Sequence, residues 1–242
     1  MKNYKKALVT GASSGIGLSI SKALLDMNIS VYGIGRDFSR TANELTKYAS
    51  LFTEINADLA KPEDYISKIK NLNKDGISFD LLVNSAGTAY YGLHESISTD
   101  QISEMIRVNL EAPMIISRLL LNDLKKSNGT IVNISSVTAH GINTHACTYG
   151  ASKAGLDSFG HSLFNEVRKH NIAVINIAPD MTDTNLYRNA DFTVDSDEAA
   201  YIKPEEVADA VVYALNTRDS LVVSDITLHP QYHRIAKKGK MQ

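Results

Sequence analysis

The sequence has one cysteine, Cys147, among 242 residues. That excludes an intrachain disulfide framework and a cysteine-rich metal site. Charge of neither sign dominates: 25 basic residues stand against 27 acidic ones, a net charge of −2. No basic field exists to hold nucleic acid. There is no apolar run of about eighteen residues or more to cross a bilayer as a helix. Nothing resembling a signal peptide precedes the first apolar segment, Lys6-Ala7-Leu8-Val9. The seven histidines show no metal-ligand spacing such as H-E-x-x-H. Repeats, low-complexity tracts and Pro/Ser-rich linkers are also absent. The expectation is a soluble cytoplasmic protein without metal, nucleic-acid or membrane partners.

What remains is 43% apolar residues over a length that suits one domain, residues 1–242, with a sizeable core. Short apolar runs alternate with stretches of helical periodicity. Strands are predicted at 7–10, 30–34, 51–55, 81–83, 131–134 and 173–177, with a last one beginning at Leu221-Val222-Val223. Helices are predicted from Ile16 to Met27, near 39–49, from Pro62, over about 99–126, from Tyr149 to about His170 and from Pro204 to Leu215. Fully apolar strands separated by helices imply a parallel sheet covered on both faces. The fold class is therefore α/β: a Rossmann-type, doubly wound domain, with a mostly parallel sheet of about seven strands. The basic tail from His233 to Lys240 reads as frayed or engaged in a contact.

The first strand runs into Thr10-Gly11-Ala12-Ser13-Ser14-Gly15-Ile16-Gly17. Glycines spaced G-x-x-x-G-x-G allow a tight turn and a close backbone approach. The helix that follows presents free N–H groups to a pyrophosphate. The second strand ends at Gly35-Arg36-Asp37. No carboxylate stands at Gly35 to bind both ribose hydroxyls, and Arg36 offers a planar cation suited to a 2′-phosphate. This favours NADP over NAD. Asp37 opposes that reading, by neutralising Arg36 or by reaching the ribose itself.

Tyr149 and Lys153 lie four residues apart on a predicted helix, hence on one face. An ammonium beside a phenol stabilises the phenolate and lowers its pKa from about 10, which makes the phenol a usable acid or base. Further polar segments fall at strand ends, where ligands of open α/β sheets bind. They are Asp58-Leu59, Asn84-Ser85-Ala86-Gly87, Ser135-Ser136 and the stretch from Pro179 through Thr182 to Thr184, with Asn109 inside the long helix.

In order and spacing these segments resemble the short-chain dehydrogenase/reductase family, from about Lys6 to Pro230. The resemblance implies Tyr149 as catalytic acid/base and Lys153 as the residue that holds the nicotinamide ribose and lowers the tyrosine pKa. It implies Ser136 as the donor to the reacting oxygen, and Asn109 as support for a water-linked proton relay. The implied cofactor contacts are Gly11, Ser13, Ser14, Gly15, Ile16, Gly17, Arg36, Asp58, Leu59, Asn84, Ala86, Gly87, Pro179, Thr182 and Thr184, with Tyr149 and Lys153. A donor pair such as Ser136 and Tyr149 suits the charge that hydride transfer builds on a carbonyl oxygen.

Two positions depart from the family pattern. Ser85 replaces the second asparagine of Asn-Asn-Ala-Gly, and Asp180 replaces the glycine after Pro179. Asp180 either shapes substrate choice or points to solvent. The stretch 183–202, with Tyr187 and Phe192, resembles the family's substrate-covering loop. His140, Asn143, His145 and Cys147 are candidates for the pocket wall, Cys147 as a spectator thiol.

The implied activity is an NADP(H)-dependent interconversion of a secondary alcohol and a ketone or aldehyde, on a small or medium organic substrate. A 3-oxoacyl thioester reductase is the runner-up. The ending Ile226-Thr227-Leu228-His229-Pro230 lacks the Asp-Gly-Gly common in acyl-carrier-protein reductases. The presence of both tyrosine and lysine speaks against a non-catalytic nucleotide sensor. The family also implies a homodimer or homotetramer, with Leu156, Phe159, Leu163, Phe164 and Val167 available for core and interface.

Overall fold

The computed structural model describes residues 2–238. Gly239 and Lys240, the end of the basic tail, lie outside them. The strands are β1 (Lys6–Thr10), β2 (Ser30–Gly35), β3 (Phe52–Asn56), β4 (Leu81–Asn84), β5 (Thr130–Ile134), β6 (Ala173–Pro179), β7 (Phe192–Val194), β8 (Asp225–Leu228) and β9 (Ile235–Lys237). The helices are α1 (Gly15–Asp26), α2 (Ala42–Leu45), α3 (Pro62–Lys74), α4 (Thr99–Ile106), α5 (Ala112–Ser127), α6 (Cys147–Val167) and α7 (Pro204–Leu215). None of the described helices is long and apolar enough to cross a membrane.

Seven strands form one parallel sheet in the order β3-β2-β1-β4-β5-β6-β8. Alternation along each strand sends side chains to opposite faces. Ala7, Val9, Val31, Val83, Val132 and Ile175 pack with α1 (Ile20, Leu24) and α7 (Val207, Val211). Leu8, Ile34, Leu82, Ile131 and Val174 pack on the other side with α3 (Tyr65, Ile69), α5 (Ile116, Leu120) and α6 (Leu163, Val167). Both faces are thus covered, which is why the strands read as continuous apolar runs. β1 has β2 on one side and β4 on the other, so the chain reverses its winding there. A crevice opens at such a switch point, beyond the carboxyl ends of the strands.

Three in-register asparagines tie the central strands together. Asn84 Nδ2 donates to Asn133 Oδ1 at 2.9 Å, and Asn133 Nδ2 donates to Asn176 Oδ1 at 3.0 Å. Asn176 Nδ2 reaches the Asp157 carbonyl of α6 at 3.2 Å. Gly160 allows this approach, because a Cβ there would collide with the Asn176 amide.

The structure corrects three sequence expectations. The helix expected near 39–49 is only α2 plus a 3-10 turn, Thr46–Tyr48. The helix expected over 99–126 is α4 and α5, separated by a π turn, Arg107–Glu111, that contains Asn109. The last sheet strand lies at Asp225–Leu228 rather than at Leu221-Val222-Val223, and Val222 and Val223 pack on the core from a loop. Of the two readings of the tail, engagement in a contact is the one that holds over residues 235–237, which form β9, antiparallel to β7.

Candidate active site

The glycine turn between β1 and α1 depends on the absence of side chains. Gly11 has φ +70°, and a Cβ there would lie 2.8 Å from Ala86 Cα. Gly15 has φ +51°, and a Cβ on Gly17 would fall on the Gly11 carbonyl. The Thr10 hydroxyl accepts from Ser85 N at 3.0 Å and from Ala86 N at 3.1 Å, fastening the end of β1 to the segment after β4. These are backbone bonds, so serine at 85 in place of asparagine leaves them intact. Ser14 caps α1 without a side-chain hydrogen bond to the first turn. Uncapped N–H groups beside glycines that no Cβ fills suit an anionic pyrophosphate.

At the end of β2, Arg36 is exposed and lines the same crevice. Among the described ion pairs none joins Asp37 to it. Its carboxylate accepts from Ser39 N at 2.8 Å and from Ser39 Oγ at 3.0 Å, bonds that hold its pKa below the ordinary value. Asp58 and Leu59 also line the crevice, with Asp58 Oδ1 bound to Ala60 N at 3.0 Å.

At the other end, α6 carries Tyr149 and Lys153 inward, with 4% and 3% exposure. Ser136, two residues beyond β5, is the polar side chain that acts on the Tyr149 hydroxyl. Burial pushes the Tyr149 pKa up to about 12, against a smaller lowering by Ser136. This reverses the expected drop. Lys153 Nζ stands 5.9 Å from the centre of the Tyr149 ring and donates to the Ile134 carbonyl at 2.8 Å. The same burial brings the Lys153 pKa down to about 8, with Asp157 opposing. Desolvation of the phenolate is therefore the larger effect, with Ser136 the one that opposes it.

A cavity of about 420 Å³ joins the glycine turn to this cluster. Every predicted site residue lines it except Asn84 and Asn109. Asn84 is 2% exposed and belongs to the asparagine ladder behind the wall. Asn109 is fully buried and its amide is occupied. Oδ1 accepts from Thr88 N at 2.9 Å, and Nδ2 donates to Thr88 O at 2.9 Å and Ser152 Oγ at 3.0 Å. It fastens the segment after β4 to α6. A Cβ on Gly87 would make only ordinary contact, 3.8 Å from both Asn109 Oδ1 and Lys153 Nζ.

Of the candidates between Ser136 and Tyr149, Asn143 and His145 line the cavity. His140 Nε2 instead lies 2.6 Å from Asp157 Oδ2, and Cys147 is exposed outside it. The 183–202 stretch contributes Tyr187, Arg188 and Phe192. Sequence reasoning missed Tyr91, His233 and Ile235, which line the cavity too. Tyr91 follows the recognised Asn-Ser-Ala-Gly segment closely enough to have been a candidate. The other two come from the tail, where no pattern marks them. Among the described residues, no cluster of His, Cys, Asp and Glu has the makings of a metal site.

Comparison with known proteins gives a consistent picture. A family model described as short chain dehydrogenase matches residues 5–194. An uncharacterized oxidoreductase of Staphylococcus saprophyticus is 32% identical over 232 residues, covering 93% of this chain and 97% of the relative. A solved 4-hydroxyisoleucine dehydrogenase complexed with NADH superposes with a TM-score of 0.82 at 25% identity, covering 93% and 97% of the two chains. An alcohol dehydrogenase from the archaeon Thermococcus sibiricus, complexed with 5-hydroxy-NADP, shares the fold with a TM-score of 0.85 at 24% identity, over 95% and 98%.

Proposed function

Because this chain belongs to the short-chain dehydrogenase family of oxidoreductases, we propose that it interconverts a secondary alcohol and a ketone or aldehyde with NADP(H). The observation that carries this reading is the buried Ser136–Tyr149–Lys153 cluster, in one cavity with an uncapped, glycine-lined helix N-terminus.

The backbone from Gly11 to Gly17 suits the pyrophosphate. Arg36, with Asp37 turned away to Ser39, suits a 2′-phosphate. Asp58 and Leu59 would hold the adenine, and Ala86, Gly87, Pro179, Thr182 and Thr184 the nicotinamide half. The nicotinamide, when bound, supplies or accepts the hydride.

The protein's own part is proton and charge management. With a pKa near 12, Tyr149 keeps its proton at neutral pH and gives it to the substrate oxygen in reduction. In the oxidative direction the same environment makes its phenolate a strong base. Ser136 supplies the second donor to that oxygen. Lys153, titrating near 8, is mostly an ammonium at neutral pH, suited to a ribose hydroxyl. Asn109 acts as a positioning residue, holding Thr88 against Ser152, next to Lys153 in the chain. The row Ile102, Ile106 and Met114 on α4 and α5 suits a homodimer or homotetramer.

NADPH oxidation over a panel of ketones and acyl thioesters tests the reading. Tyr149→Phe should cut turnover about 10²–10⁴-fold while NADPH still binds. Near-wild-type turnover would remove Tyr149 as the acid. Arg36→Ala should weaken NADPH more than NADH in calorimetry. Equal affinities, untouched by the change, would refute the NADP preference.

A further inference from the structure

The chain does not leave the molecule after β8. It crosses the 183–202 stretch and is fastened to it repeatedly. Tyr232 N donates to Ala199 O at 2.9 Å, and Arg234 Nη1 lies 3.5 Å from Asp197 Oδ2. β9 then pairs with β7, matching Ile235 with Val194, Ala236 with Thr193 and Lys237 with Phe192. Lys238 N donates to Asp191 O at 2.8 Å, and its Nζ to Tyr187 O at 2.6 Å.

The root of this segment meets Asp180, the residue that stands where the family carries glycine. Asp180 Oδ1 accepts from Met181 N at 2.8 Å. Its Oδ2 lies 3.1 Å from His229 Nδ1 and 3.9 Å from His233 Nδ1. A glycine would offer neither histidine a partner.

Two side chains of the segment, His233 and Ile235, line the cavity together with an aromatic group. Within it, Tyr91 stands 6.0 Å from Tyr149, 6.0 Å from Tyr187 and 5.0 Å from Phe192, centroid to centroid. Ile235 is 50% exposed. An apolar side chain left open at a cavity wall favours a ligand whose apolar surface covers it. The same cavity carries the Asp180 carboxylate, engaged by its histidines, and the cation Arg188, so the selection rests on apolar surface and not on charge.

We propose that residues 229–238 form a strap that completes the substrate pocket, with Asp180 as its anchor and His233 and Ile235 as specificity-determining residues. The pocket so closed takes a carbonyl or alcohol bearing an aromatic or branched apolar group. The carbonyl rests on the oxidoreductase reading above; the strap and its apolar preference do not.

Calorimetry on the full chain saturated with NADP⁺ measures ketone binding without turnover. Acetophenone should bind more tightly than butanone. Ile235→Ala should weaken acetophenone about tenfold, the effect of removing a few methylenes from an apolar pocket. Ala236→Pro, which interrupts the β7–β9 pairing, should do at least as much. Asp180→Gly should speed amide exchange over 232–237. Cofactor affinity should hold in all three. Unchanged acetophenone affinity in both strap variants, a preference for butanone, or a parallel loss of cofactor affinity would overturn the proposal. A wild-type protein that binds acetophenone but reduces no ketone with NADPH would refute the oxidoreductase reading and leave the strap standing. One that reduces ketones with selectivity untouched by the variants would do the reverse.

Discussion

Lys153 is 3% exposed, with one backbone carbonyl at 2.8 Å and Asp157 as its stabilising charge. Its pKa falls from 10.5 to about 8 because burial penalises the ammonium. Between those values the unfolded chain holds a proton that the folded one has released. Unfolding free energy therefore rises with pH across that window. Below about pH 8 both states are protonated, and the cost of burying the charge is present in full. Lys153→Met should accordingly make the cofactor-free protein more stable at neutral pH and remove the rise towards alkaline pH. Tyr149 acts in the opposite sense only above its ordinary value, where the folded state keeps the proton as far as about 12. Urea midpoints at neutral pH and between pH 8 and 10 check this. Parallel profiles for wild type and variant would show that the lysine carries no burial cost.

The asparagine ladder joins strands that apolar packing alone would also have joined, but it fixes their register against α6. Asn133 stands in the middle, accepting from Asn84 and donating to Asn176. Asn133→Ala leaves a buried donor on one neighbour and a buried acceptor on the other, which should cost about 2–4 kcal/mol. Urea denaturation measures it, and a loss well under 1 kcal/mol would show that water or repacking satisfies both groups. None of this was visible from the sequence, where Asn84 matched a cofactor-supporting position and Asn133 and Asn176 were strand residues like their neighbours. Motif spacing located Asn109 but not its occupied amide, because saturation depends on Thr88 and Ser152, which come from other elements. The central strands were legible because burial on both faces leaves unbroken apolar runs. β8 was not, because an edge strand needs apolar residues only at alternate positions, here Ile226 and Leu228. The strap was hidden for a related reason: β9 is held through backbone pairing, which places little demand on side chains.

The site lies at the carboxyl ends of the sheet strands, while α4 and α5 present a second apolar feature outside it. Ile102, Ile106, Leu110 and Met114 recur every four residues and line one shallow groove. On an uninterrupted α-helix a four-residue repeat drifts around the axis. The wider π turn at Arg107–Glu111 takes up part of that drift and keeps the row aligned. Leu110 also packs inward, where a Cβ on Gly155 would meet it at 3.0 Å. The row is thus braced on the helix that carries Tyr149 and Lys153. Met114 is 39% exposed at its outer end, an apolar side chain whose burial against a second copy would be favourable. Sedimentation should give the wild-type protein at least twice the 26.5 kDa of one chain. Met114→Glu places a charge in a two-fold interface against its own symmetry mate, so the variant should shift towards monomer. Its NADPH affinity should hold, because the Leu110 brace on α6 lies within one chain. A monomeric wild type would refute the interface. A variant that dissociates and loses cofactor affinity would show that the second copy supports the site.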